Sequence, residues 1–219
     1  MSKKLILLDA YALIYRAHFA FIKNPRINSK GLNTSAIFGF CNSLLEVTNK
    51  FDPSHIGVVF DPPGGSDREG AFADYKANRQ EMPEDIRKAI PYIFDLLKAM
   101  NIKVEMEEGF EADDVIGTLA KQAEKKGFET YMMTPDKDFG QLVSDHIFIY
   151  KPGRSGNPSE ILGPKEVCEK LKDLIQIFIR LTMKKNILYL LLLIIICSTR
   201  QVSAQCDLPD LVNINTGSN

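Results

Sequence analysis

Cysteine and histidine are scarce in this 219-residue chain, which holds four of the first and three of the second. Cys41, Cys168, Cys197 and Cys206 lie far apart and form no C-x-x-C pair. Neither a disulfide framework nor a zinc ribbon is indicated, and a reducing cytoplasm is the simplest compartment. His18, His55 and His146 are isolated too, and each reads as a surface or satisfied core residue before it reads as a metal ligand. Excess charge of either sign is also missing. With a formal net charge of -1, contact with a polyanion must come from a local basic patch, which disfavours a protein that simply coats nucleic acid. No cleavable leader opens the chain, because the apolar run after Lys3-Lys4 is short and ends directly on Asp9.

What is present is an ordinary globular balance, 45% hydrophobic and 25% charged, in a length that can bury one substantial core. Leu5 to Leu8 and His55 to Phe60 are short apolar runs, each ending on an aspartate, Asp9 and Asp61. They read as buried strands. Helical spacing follows the first in Ala10 to Phe21 and again in Thr34 to Phe51, and recurs in Glu84 to Met100, with Pro91 as a kink, and in Ala112 to Lys126, stopped by Gly127. Lys103 to Met106, Thr130 to Thr134 and His146 to Tyr150 read as further strands. Strands alternating with helices imply right-handed crossovers, hence an α/β fold with a mainly parallel central sheet flanked by helices.

The alternation stops near Leu174. Met183-Lys184-Lys185, the apolar run Ile187 to Cys197 and the small-x-small pattern Val202 to Ala204 are the three parts of a secretory signal peptide, placed where none belongs. The apolar core falls well short of the roughly 20 residues that span a bilayer. The expectation is therefore a domain over 1–172 and an unrelated tail over 173–219 containing a signal-peptide-like segment, 183–204, outside the fold. A buried hydrophobic C-terminal helix is the plainer alternative, and stable membrane association is expected only if the tail is exposed.

Carboxylates carry the chemistry. Asp9 and Asp61 end predicted strands, Asp136 has the same setting, and open α/β sheets bind ligands at that end. Glu111, Asp113 and Asp114 stand at a helix start, where acids complement the helix dipole and Glu111 and Asp114 can face the same way. Singly, each acid reads as a cap or a surface charge. Gathered with Asp138 at one sheet edge they would repel one another unless a cation neutralised them. An all-oxygen ligand set favours Mg²⁺ or Mn²⁺ over zinc, and a metal pair suits in-line phosphoryl displacement by water. Arg68, Tyr75, Lys76 and Arg79 offer phosphate-binding cations beside a ring able to stack on a base, although an ordinary solvated helix face fits the spacing as well. Arg16, a helical turn or two beyond Asp9, could reach a phosphate held at the metals.

Four blocks then match a known family: Leu7 to Ala17, Val58 to Asp61, Glu111 to Ala120 and Thr134 to Asp138. With Ile161 to Val167 they make the chain, from Met1 to about Leu171, resemble the 5′-3′ exonuclease (5′ nuclease, or flap endonuclease) domain of bacterial DNA polymerase I. The resemblance implies a PIN-like fold with a helical arch. It also implies a two-metal site, in which Asp9, Asp61, Glu111, Asp113 and Asp114 serve the first metal and Asp136 and Asp138 the second. Lys76 and Arg79 match arch residues at the 5′ end of the cleaved strand and, with Asp9, Asp61 and Asp113, complete the implied catalytic set. Tyr75 and Arg68 match other arch positions, and Arg16 a substrate-contacting arginine. The implied substrate is DNA with 5′ ends or flaps, and RNA primers, cut during replication and repair.

After Ile161 to Val167 the family's Gly-Asp-x-x-Asp-Asn-x-Pro-Gly segment and helix-hairpin-helix do not follow. The expectation is an incomplete second metal site and a truncated chain that cuts poorly. A PIN-like RNA nuclease and a non-catalytic nucleic-acid-binding remnant are the competing readings. A secreted or membrane-attached protein rests only on Met183 to Ala204.

Overall fold

The computed structural model describes residues 3–63, 81–153 and 158–172. The expected helical arch, with Arg68, Tyr75, Lys76 and Arg79, and the expected tail over 173–219 lie outside the described residues. The first apolar run is β1 (Lys3–Asp9), leading straight into α1 (Ala10–Ala20). Then come α2 (Ser35–Phe51), β2 (His55–Val59), α3 (Glu84–Ala99), β3 (Lys103–Glu105), α4 (Ala112–Lys125) and β4 (Phe128–Met133). A 3₁₀ turn (Asp138–Leu142), β5 (Ile147–Lys151) and β6 (Glu160–Leu162) follow.

The six strands form one sheet in the order β3-β2-β1-β4-β5-β6. All neighbours are parallel except β6, which runs antiparallel to β5 through Lys151 and Glu160. Strand order reverses at β1, between β2 and β4, and such a switch point opens a crevice at the carboxyl ends of the strands. Asp9 ends β1 and therefore sits at that crevice.

Successive residues of a strand point to opposite faces, and the core divides accordingly. Ile6, Leu8, Val58, Tyr131 and Met133 pack beneath α1, α2 and α3 with Phe40, Leu44, Ile93 and Leu97. Leu7, Val59, Met132 and Ile149 pack on the other face with Ile116 and Ala120 of α4 and Phe139 of the 3₁₀ turn. Each fully buried side chain of this size contributes about 1.5–3 kcal/mol. With both faces covered, the strands read as continuous apolar runs.

Helix ends follow local chemistry. Gly127 adopts φ 76° just past α4, and its N–H donates to the Glu124 carbonyl at 2.9 Å, the glycine stop that the pattern predicts. Asp52 ends α2 in the left-handed conformation. α3 runs through Pro91 as a single helix. The structure differs from the sequence reading at β4, which begins at Phe128 because its first residues pair with Lys3 and Lys4, and at β6, a short strand that the pattern does not show. Among the described residues no helix is long and apolar enough to cross a membrane.

Candidate active site

Asp9 is the last residue of β1 and also the N-cap of α1. Its Oδ1 accepts the Ala12 N–H at 3.1 Å and its Oδ2 accepts the Thr134 hydroxyl at 3.1 Å. Only 8% of the residue is exposed. Burial pushes its carboxyl above the ordinary range, the two hydrogen bonds oppose that, and the charges of Asp61 and Asp136 add to it.

Asp61 stands two residues past the end of β2 and accepts the Ala112 N–H at 2.7 Å, joining the carboxyl end of β2 to the first turn of α4. Glu111 caps α4 in a capping box with Asp114, in which Asp114 Oδ2 accepts the Glu111 N–H at 3.4 Å. This places the two acids on one side of the helix start, as their spacing predicts. Asp113 lies between them, open to solvent on one side. Its carboxyl is pushed up to about 6, first by burial and then by the charges of Asp9, Asp136, Asp61 and Glu111. Those four acids come from three strand ends and one helix start, and Asp113 feels them all.

Asp136 begins the turn after β4. Its Oδ1 accepts the Asp138 N–H at 2.9 Å, and its own N–H donates to Thr134 Oγ1 at 3.2 Å. Asp138 is thereby tied to the group through its backbone. Among the described residues, no group of three or more His, Cys, Asp or Glu side chains is arranged to hold a metal ion. The acids instead lean on backbone N–H groups and on one hydroxyl, as mutually repelling carboxylates do. Every candidate donor in the set is oxygen, the donor chemistry that suits a hard divalent cation, and two of the acids, Asp9 and Glu111, are buried.

Arg16 is anchored to a distant loop. Its Nη2 donates to the carbonyls of Pro152 and Gly153 at 3.1 and 2.7 Å, so it holds the β5–β6 connection. Thr134 was not singled out by sequence reasoning as a working residue. It is fully buried, and its hydroxyl touches both Asp9 and the Asp136 backbone. The signal available was a hydroxyl residue at the end of an apolar strand, just before Pro135-Asp136.

Residues 4–172 match the N-terminal resolvase-like domain of the 5′-3′ exonuclease family. The chain belongs to that family. DNA polymerase I of Bacillus subtilis (strain 168) is 40% identical over 169 residues, which is 77% of this chain and 19% of that protein. The 5′-3′ exonuclease of Aquifex aeolicus (strain VF5) is 40% identical over 150 residues, 68% of this chain and 51% of that one. The chain thus spans about a fifth of the first relative and about half of the second. The bacteriophage T5 flap endonuclease, solved in a pseudo-enzyme–product complex with DNA and metal ions, superposes with a TM-score of 0.55 at 15% identity, covering 77% of this chain and 60% of that one. That likeness establishes a shared fold, and the 5′-3′ exonuclease family has the α/β architecture expected from the sequence.

Proposed function

We propose that this 5′-3′ exonuclease family chain hydrolyses phosphodiester bonds of DNA at 5′ ends or flaps, using divalent metal, Mg²⁺ or Mn²⁺, held by the carboxylates at the crevice. The observation that carries the reading is the crowding around Asp113, whose carboxyl feels four other acids. Such a group is costly without a cation and serves no purpose as a set of caps alone. The T5 enzyme's complex with DNA and metal ions supports the same reading.

Asp9, Asp61, Glu111, Asp113 and Asp114 are assigned to one cation, and Asp136 and Asp138 to a second whose ligand set these two leave incomplete. When bound, the cations would activate a water and neutralise charge at the attacking and leaving oxygens. The chain's own part is to fix the acids in advance. Asp9 is held by two hydrogen bonds and Asp61 by one, so their orientation is set before any ligand arrives. Arg68, Tyr75, Lys76 and Arg79 are assigned to the DNA strand, and Arg16 to the same surface through the 152–153 carbonyls it positions. The domain is taken as 1–172, in keeping with the matched region, with 173–219 outside it. A cytoplasmic location goes with this assignment.

The test is calorimetric titration with Mn²⁺ together with cleavage of a 5′-flap DNA. Mn²⁺ binding that is weakened by Asp61→Asn, with flap cleavage that is weak or absent because the second ligand set is incomplete, is the expected result; robust flap cleavage by this chain overturns the impairment. Failure of the parent chain to bind Mn²⁺ overturns the reading.

A further inference from the structure

Three hydrogen bonds run in one direction from Asp138 through Thr134 to Asp9, and a fourth meets them at Asp9 from α1. The Asp138 N–H donates to Asp136 Oδ1 at 2.9 Å, and the Asp136 N–H donates to Thr134 Oγ1 at 3.2 Å. The Thr134 hydroxyl then donates to Asp9 Oδ2 at 3.1 Å, while the Ala12 N–H occupies Asp9 Oδ1 at 3.1 Å. A hydroxyl has one proton and two lone pairs. Because the Asp136 N–H already fills an acceptor position, the single proton of Thr134 is committed to Asp9. Thr134 is fully buried, so water does not compete for either bond.

We infer that Thr134 is a positioning residue that sets the Asp9 carboxylate and the Asp136–Asp138 turn relative to each other, so that one buried hydroxyl governs the spacing of the two groups of metal ligands. The inference rests on the metal-binding reading above and deepens it. Asp9 ends β1 and Asp136 begins the turn after β4, and these adjacent parallel strands pair only as far as Leu8 and Met133. Beyond that register no ladder pair joins β1 to β4, and the Thr134 side chain supplies the link to Asp9. Serine retains the bridging atom. Valine keeps the volume but can neither accept from Asp136 nor donate to Asp9.

The experiment compares Thr134→Ser, Thr134→Ala and Thr134→Val by Mn²⁺ calorimetry on the full chain, at a temperature where the melting curve of each shows it folded. Outer partners of metal ligands typically govern roughly ten- to hundredfold in affinity, so Thr134→Ala and Thr134→Val are expected to lose that much while Thr134→Ser stays close to the parent. The serine and alanine variants differ only in the hydroxyl, which keeps the comparison decisive if valine perturbs packing. A Thr134 that merely stabilises the fold would shift the melting temperature and leave the affinity of the folded protein unchanged, and equal affinities for the serine and alanine variants overturn the inference. Parent binding that Asp61→Asn weakens and Thr134→Ala does not would refute the inference alone. A parent that binds no Mn²⁺ refutes the metal reading as well.

Discussion

Asp61 accepts the Ala112 N–H at 2.7 Å, so a strand end and a helix start 51 residues apart meet through a carboxylate that also belongs to the acidic cluster. The two roles of Asp61 are separable. In Asp61→Asn the side-chain oxygen can still take the N–H, but the charge that raises Asp9 and Asp113 is gone. The metal-free protein is therefore expected to be as stable as the parent or slightly more so in urea, while Mn²⁺ affinity falls. Asp61→Ala also loses the bond to α4 and is expected to cost about 1–2 kcal/mol. Equal urea midpoints for the asparagine and alanine variants would contradict the capping role.

Asp113 makes stability depend on pH. Its carboxyl titrates near 6 in the folded protein against 3.8 ordinarily, so the folded state binds the extra proton between those values. Stability must then fall as pH rises from about 4 to about 6. Asp113→Asn removes that contribution and flattens the curve, as read by urea midpoints across the range. Mg²⁺ acts in the opposite sense, because it competes with the proton, and stabilisation by Mg²⁺ is expected to grow as pH rises through 6. A metal effect that is constant from pH 5 to 7 would count against Asp113 as a ligand.

Much of this site was legible because its residues are punctuation. Asp9 and Asp61 end apolar runs, and Glu111 with Asp114 has the spacing of a capping box, so each acid could be assigned to a sheet edge or a helix start from local pattern alone. The rest depended on contacts distant in sequence. Thr134 reaches Asp9 across 125 residues, and nothing around Thr134 indicates that partner. Arg16 Nη2 donates to the carbonyls of Pro152 and Gly153, 136 and 137 residues away, partners that nothing along α1 indicates. β6 escaped notice because three residues carry too little periodicity, and its pairing with β5 is what makes it a strand.

Gly39 is required by the packing of α1 on α2. A Cβ built at Gly39 would stand 2.5 Å from Ala17 Cβ and 3.2 Å from Ala17 Cα, and neither atom can swing away. Alanine gains up to about 1 kcal/mol in helix propensity over glycine, but overpacking costs about 1–3 kcal/mol, so Gly39→Ala is expected to destabilise. Adding Ala17→Gly removes the colliding methyl and should recover part of the loss. Additive losses in the double variant would show that the two positions do not touch.

The β5–β6 connection is tied to α1 and α2 by a second polar group whose weak point lies at high pH. Tyr150 is buried and its hydroxyl donates to the Glu46 carboxylate. Lys50 lies 4.7 Å from the centre of the Tyr150 ring and donates to Ser159 Oγ at 2.8 Å. Burial and the Glu46 hydrogen bond push the Tyr150 hydroxyl up to about 12 from an ordinary 10. A folded-state value above the unfolded one means that the proton is held more tightly in the native protein. The resulting stability is complete below pH 10 and is lost as pH rises through 12. Tyrosinate absorbance should show Tyr150 ionising well after the exposed tyrosines. Glu46→Gln removes the neighbouring charge but not the burial, which is the larger cause, so the Tyr150 transition should move down while staying above 10. An unchanged transition in Glu46→Gln would mean that burial alone sets it. A transition at 10 in the parent would mean that the Tyr150–Glu46 bond does not hold in solution.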